Sequence, residues 1–255
     1  MKLLSVCLFF LTICVFSCAK NDDLSGVFEG EKISLYSGQT WNWAKLDANG
    51  NPLQAAIVFD DVALNSLPIG GGAPPFEASS NFNERADKLP FIHAALDWNP
   101  SGHDPLFIYG KPHFDFHFYM ITQATRLAIP LYTTDSARFK NVPVSAYLPD
   151  NYFNSGGGVP QMGVHWIDAT SPEVSRTNPQ PFTQTFIYGT YNGMVTFYEP
   201  MITLDFIKAT TSFERTIPQP SKYKVAGYYP TIMRIKRHDG ITEIILDGFV
   251  GRQAS

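Results

Sequence analysis

Three dipeptides constrain the fold of this chain more than any other feature: Asn49-Gly50, Asn192-Gly193 and Asp239-Gly240. Each lies between two runs rich in β-branched and aromatic residues, in "WNWAKLDANGNPLQAAIVF", "TQTFIYGTYNGMVTFYEPMITLDFI" and "YYPTIMRIKRHDGITEIILDGFV". Asn-Gly and Asp-Gly are the favoured centres of type I′ turns, whose twist matches that of the two strands they join. Three such hairpins predict a mainly β fold, an antiparallel β-sandwich or barrel of hairpins with one or two short helices. "YMITQATRLAI" and "NFNERADKL" are the helical candidates, and "PIGGGAPP" and "YFNSGGGVPQ" read as loops. Aromatics make up 14% of the chain, with 19 Gly and 19 Pro, a balance that suits short strands joined by many turns. The long, polar, proline-interrupted stretch from Arg138 to Gly158 reads as a lid or rim.

The N-terminal segment reads as an address. Lys2 precedes an almost unbroken apolar run from Leu3 to Val15, which has the length of a signal-peptide core rather than of a membrane span. The following "VFSCAK" resembles the lipobox of bacterial lipoproteins, with Ser17 in the small position and Cys18 as the lipidated first residue of the mature protein. The three cysteines are Cys7, Cys14 and Cys18, so cleavage leaves one, consumed by lipid, and no disulfide. The alternative is an ordinary secretory signal cleaved near Ala19. The expected organisation is a signal peptide over 1–17, a polar tether over 18–26 (ending in "KNDDLSG") and one β-rich domain over 27–255. The tether also resembles the surface-export signal of some Bacteroidetes lipoproteins. The expected location is the cell envelope, with lipid in the outer membrane and the domain periplasmic or surface-exposed. A net charge of −4 and a charged fraction of 16% argue against a nucleic-acid partner. A small ligand and self-assembly remain open as partners.

"KPHFDFHFYM" holds the chemistry. In a strand, alternate side chains share a face, so His113, Asp115 and His117 lie on one side and Phe114, Phe116 and Phe118 on the other. The aromatic side packs a core; the polar side needs something to face. His103 lies just upstream in "NPSGHDP" and His165 in "MGVHWID", whereas His238 is expected to be exposed beside its hairpin turn. If Asn192-Gly193 closes a two-residue hairpin, Glu199 pairs with Phe186 and shares a face with Val195 and Phe197, a costly place for a carboxylate unless a cation or donor answers it. Imidazole and carboxylate bind zinc, manganese and iron, which makes His103, His113, Asp115, His117, His165 and Glu199 candidate ligands of a divalent metal. One objection is geometric: residues four apart on an extended strand are roughly 13 Å apart, too far for one ion. Either the strand is bulged or twisted, or a metal is held by neighbours only, His113 with Asp115 or Asp115 with His117. The competing reading is that these side chains brace the fold, His103 in a turn, Asp115 with His117 as a buried pair, His165 beside Trp166.

"DWNPSGHDPLFIYGKPHFDFHFY", "VPQMGVHWID" and "FTQTFIYGTYNGMVTFYEPMITL" resemble a Thermus-type family of bacterial exported proteins, over most of the mature chain. The resemblance implies one secreted or lipid-anchored domain with the six candidate positions inside characteristic motifs, and supplies no reaction. A looser likeness is to cupins, whose ligands come from a His-x-His strand, a downstream Glu and a later His; here a His-x-Asp-x-His occurs and Glu199 follows His165. Cupins serve as an analogy of architecture only. There is no nucleophile elbow, phosphate loop or dinucleotide fingerprint. Two functions stand: a lipid-anchored domain with a metal pocket, for which metal-assisted hydrolysis or a cupin-like oxidation would use Asp115 or Glu199 as base, and a non-catalytic binding or assembly module.

Overall fold

The computed structural model describes residues 23–255; the expected signal segment, Cys18 and the start of the tether lie outside the described residues. The chain begins with β1 (Gly26–Glu29), β2 (Ile33–Leu35), β3 (Gly38–Leu46) and β4 (Pro52–Asp60). Its middle supplies β5 (Phe76–Asn81), β6 (His93–Asn99), β7 (His113–Tyr119), β8 (Tyr152–Asn154), β9 (Val164–Asp168), β10 (Gln184–Tyr191) and β11 (Met194–Thr203). Last come β12 (Ser212–Thr216), β13 (Gly227–Tyr229), β14 (Ile232–His238), β15 (Ile241–Asp247) and β16 (Val250–Arg252). One sheet has the order β1-β3-β4-β15-β14-β12, with β2 on β3, and the second β5-β6-β7-β11-β10-β9-β8. A small ribbon pairs β13 with β16. The two large sheets pack as an antiparallel sandwich and do not close into a barrel. The first sheet needs strands from both ends of the described chain, and the middle builds the second.

The hairpin turns follow from their dipeptides with one difference. Asn192 and Gly193 have φ of 49° and 76°, Asp239 and Gly240 φ of 50° and 78°, the paired positive values of a type I′ turn. Tyr191 pairs with Met194 and His238 with Ile241 across them. Asn49-Gly50 instead ends a longer loop, because the Asp47 carboxylate accepts from the backbone N–H of both Asn49 and Asn51 at 2.8 Å. That local side-chain turn competes successfully with the two-residue form. The expected helical segments hold an α-helix at Gln123–Leu127 and a 3₁₀ turn at Glu84–Ala86. Further single-turn helices occur, among them Asp61–Ser66 and Leu204–Ala209, more than the one or two expected. They are set by caps rather than periodicity: Asp60 accepts from the Ala63 N–H, and Thr203 from that of Phe206.

β7 lies inside the second sheet, between β6 and β11. Its phenylalanines 114, 116 and 118 are fully buried between the sheets, where Phe59 of β4 stacks at 5.0 Å on Phe114 and 6.1 Å on Phe116. Burying each ring contributes about 1.5–3 kcal/mol. The alternation of β7 therefore sends His113, Asp115 and His117 to the outer face of this sheet, and short helices and loops cover them.

Candidate metal centre

Three strands and two neighbours assemble the outer face. β6 lies beside β7 in a register that pairs Asn99 with His113, Asp97 with Asp115, and His93 with Tyr119. On the other side, β11 pairs Met201 with Asp115 and Phe197 with Tyr119, which sets Glu199 between them opposite His117. Glu199 itself pairs with Ile187 and not with Phe186 as the simple hairpin predicts. The reason is a register shift between Gly189 and Thr190, where β11 carries one residue more than β10. Such a bulge flips the residues beyond it: Val195 packs against the inter-sheet core, while Phe197 and Glu199 face the outer side. β9 brings His165 opposite Gly189. A Cβ at Gly189 would lie 2.0 Å from the Phe197 ring, so glycine makes room for the ring that meets His117 and His165 edge-on at 5.0 and 5.3 Å.

All six candidate ligands come together, as two adjacent trios: His103, His113 and Asp115 in one, His117, His165 and Glu199 in the other. Within each, one donor atom per residue lies within 4.8 Å of the other two. The long His113–His117 spacing is thus honoured without local distortion of β7, since each histidine belongs to a different group. His113 with Asp115 is one of the neighbouring pairs expected; Asp115 with His117 is not. Asp115 faces His113 Nε2 at 3.2 Å through Oδ1 and His103 Nε2 at 3.4 Å through Oδ2. Glu199 faces His117 Nε2 and His165 Nε2, each at 3.5 Å. Two ligands each about 2.1 Å from one ion at a tetrahedral angle lie about 3.4 Å apart, so these separations are compatible with a shared ion as well as with direct ion pairs.

The ring orientations matter as much as the distances. His113 Nδ1 lies 2.7 Å from the Lys111 carbonyl and His103 Nδ1 2.8 Å from that of Asp104. A carbonyl only accepts, so both Nδ1 atoms carry the proton and Nε2 is left with a lone pair in the neutral ring. His117 does the same with a carboxylate, its Nδ1 being 2.8 Å from Asp97 Oδ2, although not aligned for a good hydrogen bond. Carboxylate or carbonyl behind Nδ1 with Nε2 turned inward is the arrangement that orients metal-binding histidines. Asn99 donates to Asp115 Oδ2 at 2.8 Å. His113 Nε2, Asp115 Oδ1, His117 Nε2 and Glu199 Oε2 are buried and lack a hydrogen-bond partner within the protein. Such groups are costly to leave unanswered, and a divalent cation would answer all four.

Electrostatics follow from burial and proximity. Burial alone would raise the Asp115 carboxyl, but the imidazoles of His103 and His113 overcome it and hold it well below the usual carboxylate range. Burial opposes protonation of His103 and His117, yet Asp115 lifts the former to about 9, and Glu199 with Asp97 lifts the latter to about 9. Glu199 is pushed up to about 8 by burial, His117 opposing. His165 falls to about 3 through burial and the neighbouring His117. Two imidazoles and one carboxylate per trio suit zinc, manganese or iron. His103 and His165 are the more exposed members, with side chains 39% and 17% accessible.

Asp97, Asn99 and His93 belong to this face and were not among the candidates. The alternation His93, Ala95, Asp97, Asn99 in "HAALDWN" was the available signal. The outer face continues to a buried Arg126, paired with Glu77 and set 5.0 Å over the Tyr119 ring, which stacks on both His93 and His117. His238 is exposed between Asp239 and Glu243, as expected. Pro143 and Tyr147 of the 138–158 stretch line a separate cavity. Searches of family models, curated proteins and solved structures give no match to this chain.

Proposed function

We propose that this chain is a lipid-anchored extracytoplasmic β-sandwich that holds divalent metal on the outer face of its second sheet, one ion per trio. The observation that carries the reading is the common orientation of His103, His113 and His117. Each turns Nδ1 to an oxygen and Nε2 to a carboxylate at 3.2–3.5 Å. Fold bracing needs no such convergence, and it leaves four buried polar atoms without partners. Bound there, an ion supplies positive charge to two buried carboxylates and acts as a Lewis acid. Asp97, Asn99 and the Lys111 and Asp104 carbonyls keep the ligands in place. The lipid anchor rests on the sequence of the N-terminal segment, with Cys18 as the attachment point.

Elemental analysis of protein purified without chelator tests the metal. The expected result is up to two zinc, manganese or iron ions per chain, with His113→Ala and His117→Ala each removing about half and the double variant all. Metal-free wild-type protein that takes up none of these ions when they are added back would leave the bracing role standing.

A further inference from the structure

A sizeable hollow lies away from the histidines. A cavity of about 510 Å³ opens between the Asn192-Gly193 hairpin and the segment from Pro220 to Tyr229, with Leu89 and Met120 in its floor. It shares no residue with either trio, and its volume lies within the range of small-ligand sites.

Its walls are apolar and aromatic. Tyr147, Tyr198, Tyr223, Tyr228 and Tyr229 line it. Their hydroxyls are largely used inside the protein: Tyr147 donates to the Ser255 carbonyl, Tyr223 to Gln219, Tyr228 to Asn51 and Tyr229 to the Val225 carbonyl. They therefore offer ring surface rather than hydrogen bonds. Val225 stands 54% exposed in this lining, an apolar side chain that a ligand body would cover.

Charge is distributed the other way. Lys88, Lys222 and Lys224 line the cavity against a single acid, Asp87, in a chain whose formal charge is −4. Lys88 donates to the Asn49 carbonyl and Asn51 Oδ1, and Lys224 to the Gly193 carbonyl. Lys224 thus touches a neutral oxygen, which leaves its charge available to an anion, whereas Lys88 also meets the Asp47 carboxylate across the 47–51 loop. Arg252, outside the lining, lies 5.4 Å over the ring of Tyr223. A neutral sugar would find few free acceptors or donors here, and a cation would meet repulsion.

We infer that this cavity binds an amphipathic anion, a small molecule with an apolar chain or ring and a carboxylate head: the body lies on the tyrosines and Met120, and the head sits among Lys88, Lys222 and Lys224. The site is independent of the metal centre, and its occupant is a diffusible ligand.

Titration with the fluorescent fatty acid cis-parinaric acid, with its methyl ester as the uncharged control, tests this on the whole domain. Saturable one-to-one binding of the acid is expected, with the ester weaker. Lys222→Glu combined with Lys224→Glu, both at exposed positions, should weaken the acid about tenfold and leave the ester unchanged. Met194→Trp, which fills the cavity from the hairpin, should weaken both. Circular dichroism of each variant establishes that it is folded. No saturable binding by the folded wild type, or acid binding that survives both the charge reversal and the filling, would overturn the assignment. Chelator treatment should leave the acid's affinity unchanged.

Discussion

Replacing Glu199 by glutamine separates a metal ligand from a structural brace, because the two roles predict opposite signs. Glu199 is 2% exposed, and burial lifts its carboxyl from 4.5 to about 8. A carboxyl raised in the folded state contributes stability that is complete below the unfolded value and is lost as pH rises through the folded one. The fold keeps the group largely protonated at pH 7, which lies about 2.5 units above the unfolded value; at ~1.4 kcal/mol per unit this withholds on the order of 3 kcal/mol from the metal-free fold. Glutamine is neutral in both states and carries no such protonation cost; altered contacts with His117 and His165 offset part of the gain, so the variant should exceed the metal-free wild type in stability by about 1–2 kcal/mol. For a domain of this size that is a Tm increase of roughly 2–8 °C. The same change removes a ligand from the His117 trio. It should lower metal affinity there by at least about 100-fold, the upper end of what losing an outer partner alone costs. Differential scanning fluorimetry of chelator-treated protein at pH 7 and 8, beside calorimetric metal titration, reads both quantities. If the glutamine variant melts lower than wild type in the metal-free state and binds metal normally, Glu199 is a brace and the ligand assignment is wrong.

Raising pH from 6.5 to 9 should lower the Tm of metal-free protein, since His103 and His117, lifted to about 9, and Glu199, at about 8, all contribute stability that is lost on this limb. A saturating divalent ion should flatten the slope, and a flat metal-free profile would contradict these protonation states. Metal uptake at pH 7 should release protons from His103 and His117, read as a dependence of the calorimetric enthalpy on buffer ionisation; no dependence would count against both as ligands. Gly189→Ala should cost about 1–3 kcal/mol in denaturant unfolding, because the new methyl collides with the Phe197 ring, and a neutral effect would mean that ring moves freely. Cys18→Ser should release the protein from the membrane fraction or leave an unprocessed precursor; normal trimming and retention would favour a plain secretory signal.

Much of the fold was legible because its signals are local. The Asn192-Gly193 and Asp239-Gly240 turns form at the positions expected, and the alternation of 113–119 sends each side chain to the expected face. Asn49-Gly50 does not form the two-residue turn its dipeptide signals, because the Asp47 side chain two residues earlier takes over the loop. The six metal candidates were legible as types, since histidines and carboxylates on a strand with an aromatic opposite face have few uses. Their grouping was not legible. It depends on which strands lie beside β7, and in what register, which no stretch of sequence states. The one-residue bulge near Gly189 moved the partner of Glu199 from Phe186 to Ile187.

On the proposed reading, the spacing of β7 sets how many ions the face would hold. His113 and His117 sit four positions apart, and a single ion would require the strand to bend toward it. The structure keeps β7 extended and supplies each histidine with its own carboxylate: Asp115 from the same strand for His113, Glu199 from the neighbouring strand for His117. The third members arrive from outside β7, His103 from the loop before it and His165 from β9. Loss of His103 should therefore empty only the first trio and loss of His165 only the second. Asp115 still raises the protonation of His117 through space, so filling one trio should shift the affinity of the other. A metal titration of His165→Ala that retains one site with altered affinity meets this expectation. Loss of both sites together would instead mean that the six residues form a single centre.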